Sequence, residues 1–121
     1  MKRLLAAIII CLIVTGCDDN PVLNDSGYTK PPILLYPENG ATNVELCPTF
    51  RWQRGGAYCS IELSLNPDFN PVLKSGVSFS DTLKFTDSLG RGGTFYWRAK
   101  ASYGEWGGSG WSAANWFRTV E

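Results

Sequence analysis

Thr94 to Ser102, TFYWRAKAS, alternates large apolar and polar side chains. In an extended strand this puts Phe95, Trp97, Ala99 and Ala101 on one face and Tyr96, Arg98 and Lys100 on the other. A helix would scatter the same residues around its circumference, so the segment fits a strand with one face buried. The period recurs from Pro31 onward, between turn signals spaced roughly ten residues apart, the pattern of a β-sandwich or barrel. No stretch of the chain sustains helical periodicity.

The other strands follow from the same alternation. Ile33 to Tyr36 stops at the turn PENG. PTFRWQ sets Phe50 and Trp52 against Arg51 and Gln53, and the RGG at 54–56 turns the chain. YCSIELSL sets Cys59, Ile61 and Leu63 against Tyr58, Ser60, Glu62 and Ser64, and ends at NPDF. Weaker strands run near Val72 to Phe79 and Asp81 to Asp87, the latter with Leu83 and Phe85 on one side. NWFRTV, with Phe117 and Thr119 opposite Trp116 and Arg118, closes a set of about seven strands. A small domain buries a modest share of its surface and needs large core side chains. Five Trp, five Tyr and six Phe supply them.

The N-terminus is of a different kind. Met1-Lys2-Arg3 leads into an apolar run from Leu4 to Val14, much shorter than the roughly 20 residues a membrane-spanning helix needs. The run ends in Val14-Thr15-Gly16-Cys17, which resembles the lipobox of bacterial lipoproteins. That resemblance implies a signal peptide over 1–16, diacylglycerol and further acyl chains (palmitate among them) on Cys17, and lipid anchoring to a membrane of the cell envelope, facing the periplasm. Two or three acyl chains anchor stably where one would be marginal. Asp18 and Asp19 resemble an inner-membrane retention signal. Residues 17–30, rich in Asp, Asn, Pro, Gly and Ser, have the composition of a tether between membrane and domain. Without residues 1–16 the chain carries 9 basic and 11 acidic side chains, with no basic stripe for nucleic acid.

In order along the chain, PENGATNV, PTFRW, IELSLNPDF, LGRGGTFYWRAKA and WSAANWFRT resemble the pieces of a bacterial fibronectin type III domain over residues 31–121. The resemblance implies a seven-stranded antiparallel, immunoglobulin-like two-sheet sandwich, with Trp52 in its core and Leu89 plugging one end.

The exported domain has two cysteines, Cys47 and Cys59, as a potential disulfide pair. If Gly55 centres a hairpin, Cys59 stands level with residue 51, and Cys47 lies ~13 Å away. A disulfide needs Cα atoms within about 7 Å, so two free thiols are expected, with Cys59 as a buried apolar residue. With no histidine and two thiols, no zinc set and no cofactor are expected. Glu38, Glu45, Glu62, Asp68, Asp87 and Glu105 are scattered over turns and outward positions as solvated groups, and no enzyme activity is expected from them.

Three tryptophans, Trp106, Trp111 and Trp116, lie among Gly and Ser near the end. Trp106 and Trp111 are candidates for stacking on a sugar ring. Against this stands a surface role, with Trp97, Trp111 and Trp116 beside Arg98 and Arg118 as ring and cation pairs. The functional expectation is a lipid-anchored module that binds an envelope protein or acts as a spacer, with a carbohydrate-binding lipoprotein as the alternative.

Phe95 occupies the place where the fibronectin type III resemblance calls for a tyrosine bonded to nearby backbone. Phe95→Tyr is therefore expected to stabilise the domain by about 1 kcal/mol. Thermal unfolding tests this, and an unchanged or lower Tm contradicts it.

Overall fold

The computed structural model describes residues 30–121. The signal peptide, Cys17 and nearly all of the tether lie outside the described residues. Among the described residues there are eight strands: β1 (Ile33–Tyr36), β2 (Ala41–Val44), β3 (Thr49–Gln53), β4 (Tyr58–Ser64), β5 (Lys74–Ser78), β6 (Thr82–Lys84), β7 (Thr94–Ser102) and β8 (Asn115–Thr119). One sheet has the order β1-β3-β6 and the other the order β2-β8-β7-β4-β5.

Two expectations need correction. The sheets hold eight strands rather than seven, and one pair is parallel, β2 with β8. ATNV carries no two-residue alternation, because only Val44 is fully buried, and its partner lies more than 70 residues further along the chain. No local signal marks such a strand. The first edge of the sandwich is shared between the sheets. β1 pairs with β3, then the chain crosses at Pro37 to Gly40, and β2 pairs with β8. The crossing is pinned by the Gly40 amide on the Trp116 carbonyl (2.7 Å) and the Trp116 amide on Asn39 Oδ1 (3.0 Å).

The second correction concerns the RGG turn. β3 and β4 do not form a hairpin. β3 lies between β1 and β6, whereas β4 lies between β5 and β7. Cys59 is therefore level with Ser78 and Ala101, not with residue 51, and the register argument for the cysteine separation fails in its premise. Both thiols are nonetheless free. The corner needs glycine for close approach. A β-carbon on Gly55 would come within 2.6 Å of Trp52 Nε1, and one on Gly56, at φ +70°, within 2.4 Å of the Ser102 carbonyl oxygen.

The core fills the space between the sheets with rings. Phe50 is fully buried and meets Trp97, Phe85 and Phe117 edge-on, with centroids 5.0, 5.7 and 5.9 Å apart. Such pairs add to the ~1.5–3 kcal/mol that burying each large side chain contributes. Trp52 is buried among them, and Leu89 is buried at the end where its amide bonds the Leu46 carbonyl. Trp97 donates its indole N–H to the Pro37 carbonyl, which ties the crossing segment to the core. Phe95 stacks on Phe117 and borders a recess of about 410 Å³ next to Leu89 and Gly90.

Thr119 closes the β6–β7 connection. Its buried hydroxyl donates to the Gly90 carbonyl and accepts from the Gly93 amide, while its own amide donates to the Gly93 carbonyl. Thr119→Val keeps the shape and strands two backbone groups, so a loss of about 1–3 kcal/mol is expected. Urea unfolding of the variant measures it; a loss within error would show that the hydroxyl holds nothing.

Candidate functional site

β7 contributes the long alternating segment to both layers of the molecule. Its inward side chains are core, and its outward ones, with those of β4 and β5, build the exposed face of the five-stranded sheet. Antiparallel register sets Glu62 opposite Arg98 and Ser60 opposite Lys100. On the next strand Ser75 stands opposite Glu62 and Val77 opposite Ser60.

Arg98 is the centre of this face. Its Nε and one terminal nitrogen donate to the same Glu62 oxygen, at 3.1 and 2.7 Å. The guanidinium lies 4.2 Å from the Phe69 ring centroid and 4.4 Å from that of Trp111. Phe69 is buried because the β4–β5 connection folds over the sheet, held by the Ser64 hydroxyl on the Pro71 carbonyl (2.7 Å). Lys100 also lies over Trp111, at 4.8 Å.

The segment GSGWS places Trp111 there. β8 begins only opposite Trp97, so the last part of β7 lacks a strand on that side. Ser109 and Ser112 take its place. The Ala101 amide donates to Ser109 Oγ (2.8 Å) and the Ala99 amide to Ser112 Oγ (3.1 Å). In return, the Ser109 and Ser112 amides donate to the Ala101 and Ala99 carbonyls. Each serine supplies one backbone donor and one side-chain acceptor, as a partner strand would with backbone alone. Trp111, between them, is carried onto the β7 cations.

Two recesses flank Lys100 and Ser60. One, of about 250 Å³, is bordered by Glu62, Val77 and Trp111, and the other, of about 390 Å³, by Tyr58, Ser102 and Ser109. Together they form a shallow trough of mixed polarity along the sheet.

The structure separates the candidate tryptophans. Trp111 is half-buried on the sheet face. Trp106 lies in a single 3-10 turn, Gly104–Trp106, beyond the end of β7, and is 74% exposed. The grouping of Trp97, Trp111 and Trp116 on surface cations is corrected: Trp97 is fully buried in the core, and Trp116 packs over Gly40. Glu62, expected as a solvated group, is the partner of Arg98. Phe69, Ser109 and Ser112 had no role assigned from sequence; only the register of β4 on β7 and the course of the last loop reveal one.

The remaining titratable groups do not converge on this face. Tyr36, at the end of β1 on the other sheet, donates its hydroxyl to Glu45, just past β2; that bond pushes the Tyr36 phenol up to about 12 and holds the Glu45 carboxyl below its usual range. Asp87 pairs with Lys74 at 3.5 Å. Cys59 is buried, which pushes its thiol up to about 12, while half-buried Cys47 lies 3.5 Å from Ser88 Oγ. Among the described residues no three His, Cys, Asp or Glu side chains gather as metal ligands.

No protein-family model and no curated protein matches the chain. Among solved structures, an α-L-rhamnosidase from Dictyoglumus thermophilum superposes with a TM-score of 0.64 at 15% identity, over 78% of this chain and 13% of that one. The FN1–FN3 domains of chicken CNTN1 align with a TM-score of 0.48 at 12% identity, over 77% of this chain and 35% of theirs. The chain thus spans a small part of either structure. Its own strand order and the rhamnosidase likeness describe a two-sheet β-sandwich module.

Arg98→Lys keeps the charge but cannot bond Glu62 while lying flat against both rings. It is expected to cost about 1–2 kcal/mol and to increase access of an aqueous quencher to Trp111. Equal stability and unchanged quenching would show that the stack is passive.

Proposed function

We propose that this protein is a lipid-anchored component of the bacterial cell envelope, held by an acylated Cys17, that presents a single sandwich as a binding or spacer module. The observation that carries this reading is Val14-Thr15-Gly16-Cys17, at the end of an apolar run and about 13 residues before the first described residue of the domain. Cleavage before Cys17 would leave the acylated residue at the new N-terminus, on a short polar lead to β1. The lead lets the domain sample the space beside the membrane, on the periplasmic side.

The scatter of the described acids over separate turns and connections, with Glu62 alone on a strand, supports a binding or spacer role over catalysis, since general acid and base work needs groups that converge on one reacting atom. The trough beside Lys100 and Trp111 supplies a surface for an envelope protein. The glycan-binding alternative narrows to Trp106 on exposure, since its ring is 74% exposed and Trp111 is half-buried beside Arg98 and Lys100.

Intact mass of the protein recovered from membranes tests the anchor. The expected species begins at Cys17 and carries the mass of a diacylglycerol plus an acyl chain, and Cys17→Ala leaves the precursor uncut. A mature chain without added lipid mass contradicts the reading. Retention on a glycan array that disappears in Trp106→Ala would favour the carbohydrate alternative.

A further inference from the structure

The described chain enters the sandwich at one particular end. Ile33, the first residue of β1, pairs with Gln53, the last of β3, so entry is beside the β3–β4 connection. The β5–β6 and β7–β8 connections are at the same end, since Cys59 near the start of β4 pairs with Ser78 and Ala101 near the ends of β5 and β7. This end carries the most exposed large rings of the domain. Phe79 is 81% exposed and Trp106 is 74% exposed, and Tyr58 packs beside Phe79 with centroids 5.6 Å apart.

We propose that this end rests on the phospholipid bilayer that holds the anchor, with Phe79 and Trp106 inserted at the level of the headgroups. The inference rests on the lipid-anchor reading of Cys17 and adds to it an orientation and a contact surface. Aromatic rings with a polar edge favour the membrane interface, where Trp and Tyr are enriched.

The tether decides between the two ends of the sandwich. About 13 residues separate Cys17 from Lys30, a reach of at most about 45 Å. The opposite end also has exposed apolar side chains, Leu65 and Leu73, around its recess. To bring that end to the membrane, the tether would have to run back along the sandwich, about 30 Å for a strand the length of β7. That would leave little slack, whereas the entry end needs none of that path. Charge does not compete with this assignment. Lys30 and Arg54 are balanced at the entry end by Asp81 and Glu105, all exposed, so contact depends on the rings rather than on anionic lipid.

The test uses the full mature protein purified from membranes and reconstituted in phosphatidylethanolamine–phosphatidylglycerol vesicles, some containing brominated acyl chains. Its intact mass reports acylation, and its tryptophan fluorescence reports contact with lipid. The expected result is an acylated chain quenched by bromolipid, with most quenching lost in Trp106→Phe and no change on raising salt. Moving the fluorophore with Trp106→Phe combined with Phe79→Trp restores the quenching. Both sites are exposed, so these variants are not expected to disturb the core. For release from vesicles after enzymatic removal of the acyl chains, Phe79→Ser with Trp106→Ser lowers the residual partitioning about tenfold or more. An acylated protein with no bromolipid quenching at Trp106, or quenching abolished by salt, overturns the orientation and leaves the anchor reading standing. A mature chain without acyl mass overturns both.

Discussion

Everything on the exposed face depends on how the second half of β7 is closed along its open side. A strand in the middle of a sheet must satisfy donors and acceptors on both edges, and an unpaired buried amide costs about as much as a lost hydrogen bond. β4 covers one edge of β7 from Tyr96 to Ser102, but on the other edge β8 reaches only as far as Trp97. The hydroxyls of Ser109 and Ser112 complete the other edge, each with its own backbone amide returning a bond. The irregular segment that results carries a tryptophan between two anchored serines and lays its ring against Arg98 and Lys100 of β7. Trp111, Phe69 and Glu62 meet on Arg98 and form one layer over the sheet, and the serine bonds to β7 are what hold Trp111 in it.

The two layers of the domain have different chemistry for the same reason. The inward face of β7 is packed by rings from the other sheet, Phe50 foremost, where the Trp97 indole N–H finds the Pro37 carbonyl and the Trp52 indole N–H is buried without a partner. The outward face is read by cations and their stems, which keep contact with water while covering apolar surface. At the loop end, Phe79 and Trp106 are the most exposed of the described rings and lie on connections beyond the sheet faces.

Strands with one buried face were legible in the sequence. The alternation in TFYWRAKAS, PTFRWQ and YCSIELSL gave both their positions and their inward residues, and Phe50, Trp52, Cys59, Ile61, Leu63, Trp97 and Phe117 are all buried. β2 was not legible, because a four-residue strand paired in parallel with a partner at the far end of the chain leaves no periodic trace. Nor was the sheet assignment of β3 and β4. Two adjacent strands joined by a glycine turn suggest a hairpin, whereas the pairing of β3 with β1 and β6 and of β4 with β5 and β7 makes the turn a crossing between sheets, with Gly55 close to Trp52 and Gly56 close to Ser102. At the candidate site, Trp111 was visible as a residue type, whereas its partners depend on cross-strand register and on two serines whose spacing alone carries no message.

Amide hydrogen exchange on the folded protein tests the closure of β7 most directly. The amides of Ala99 and Ala101 are expected to exchange as slowly as those of Ile61 and Leu63 within β4, since serine oxygens cap them as strand carbonyls would. Exchange at the rate of the amides of Gly104 and Glu105 in the loop beyond would show that edge open, and the layer of Trp111 on Arg98 without its support.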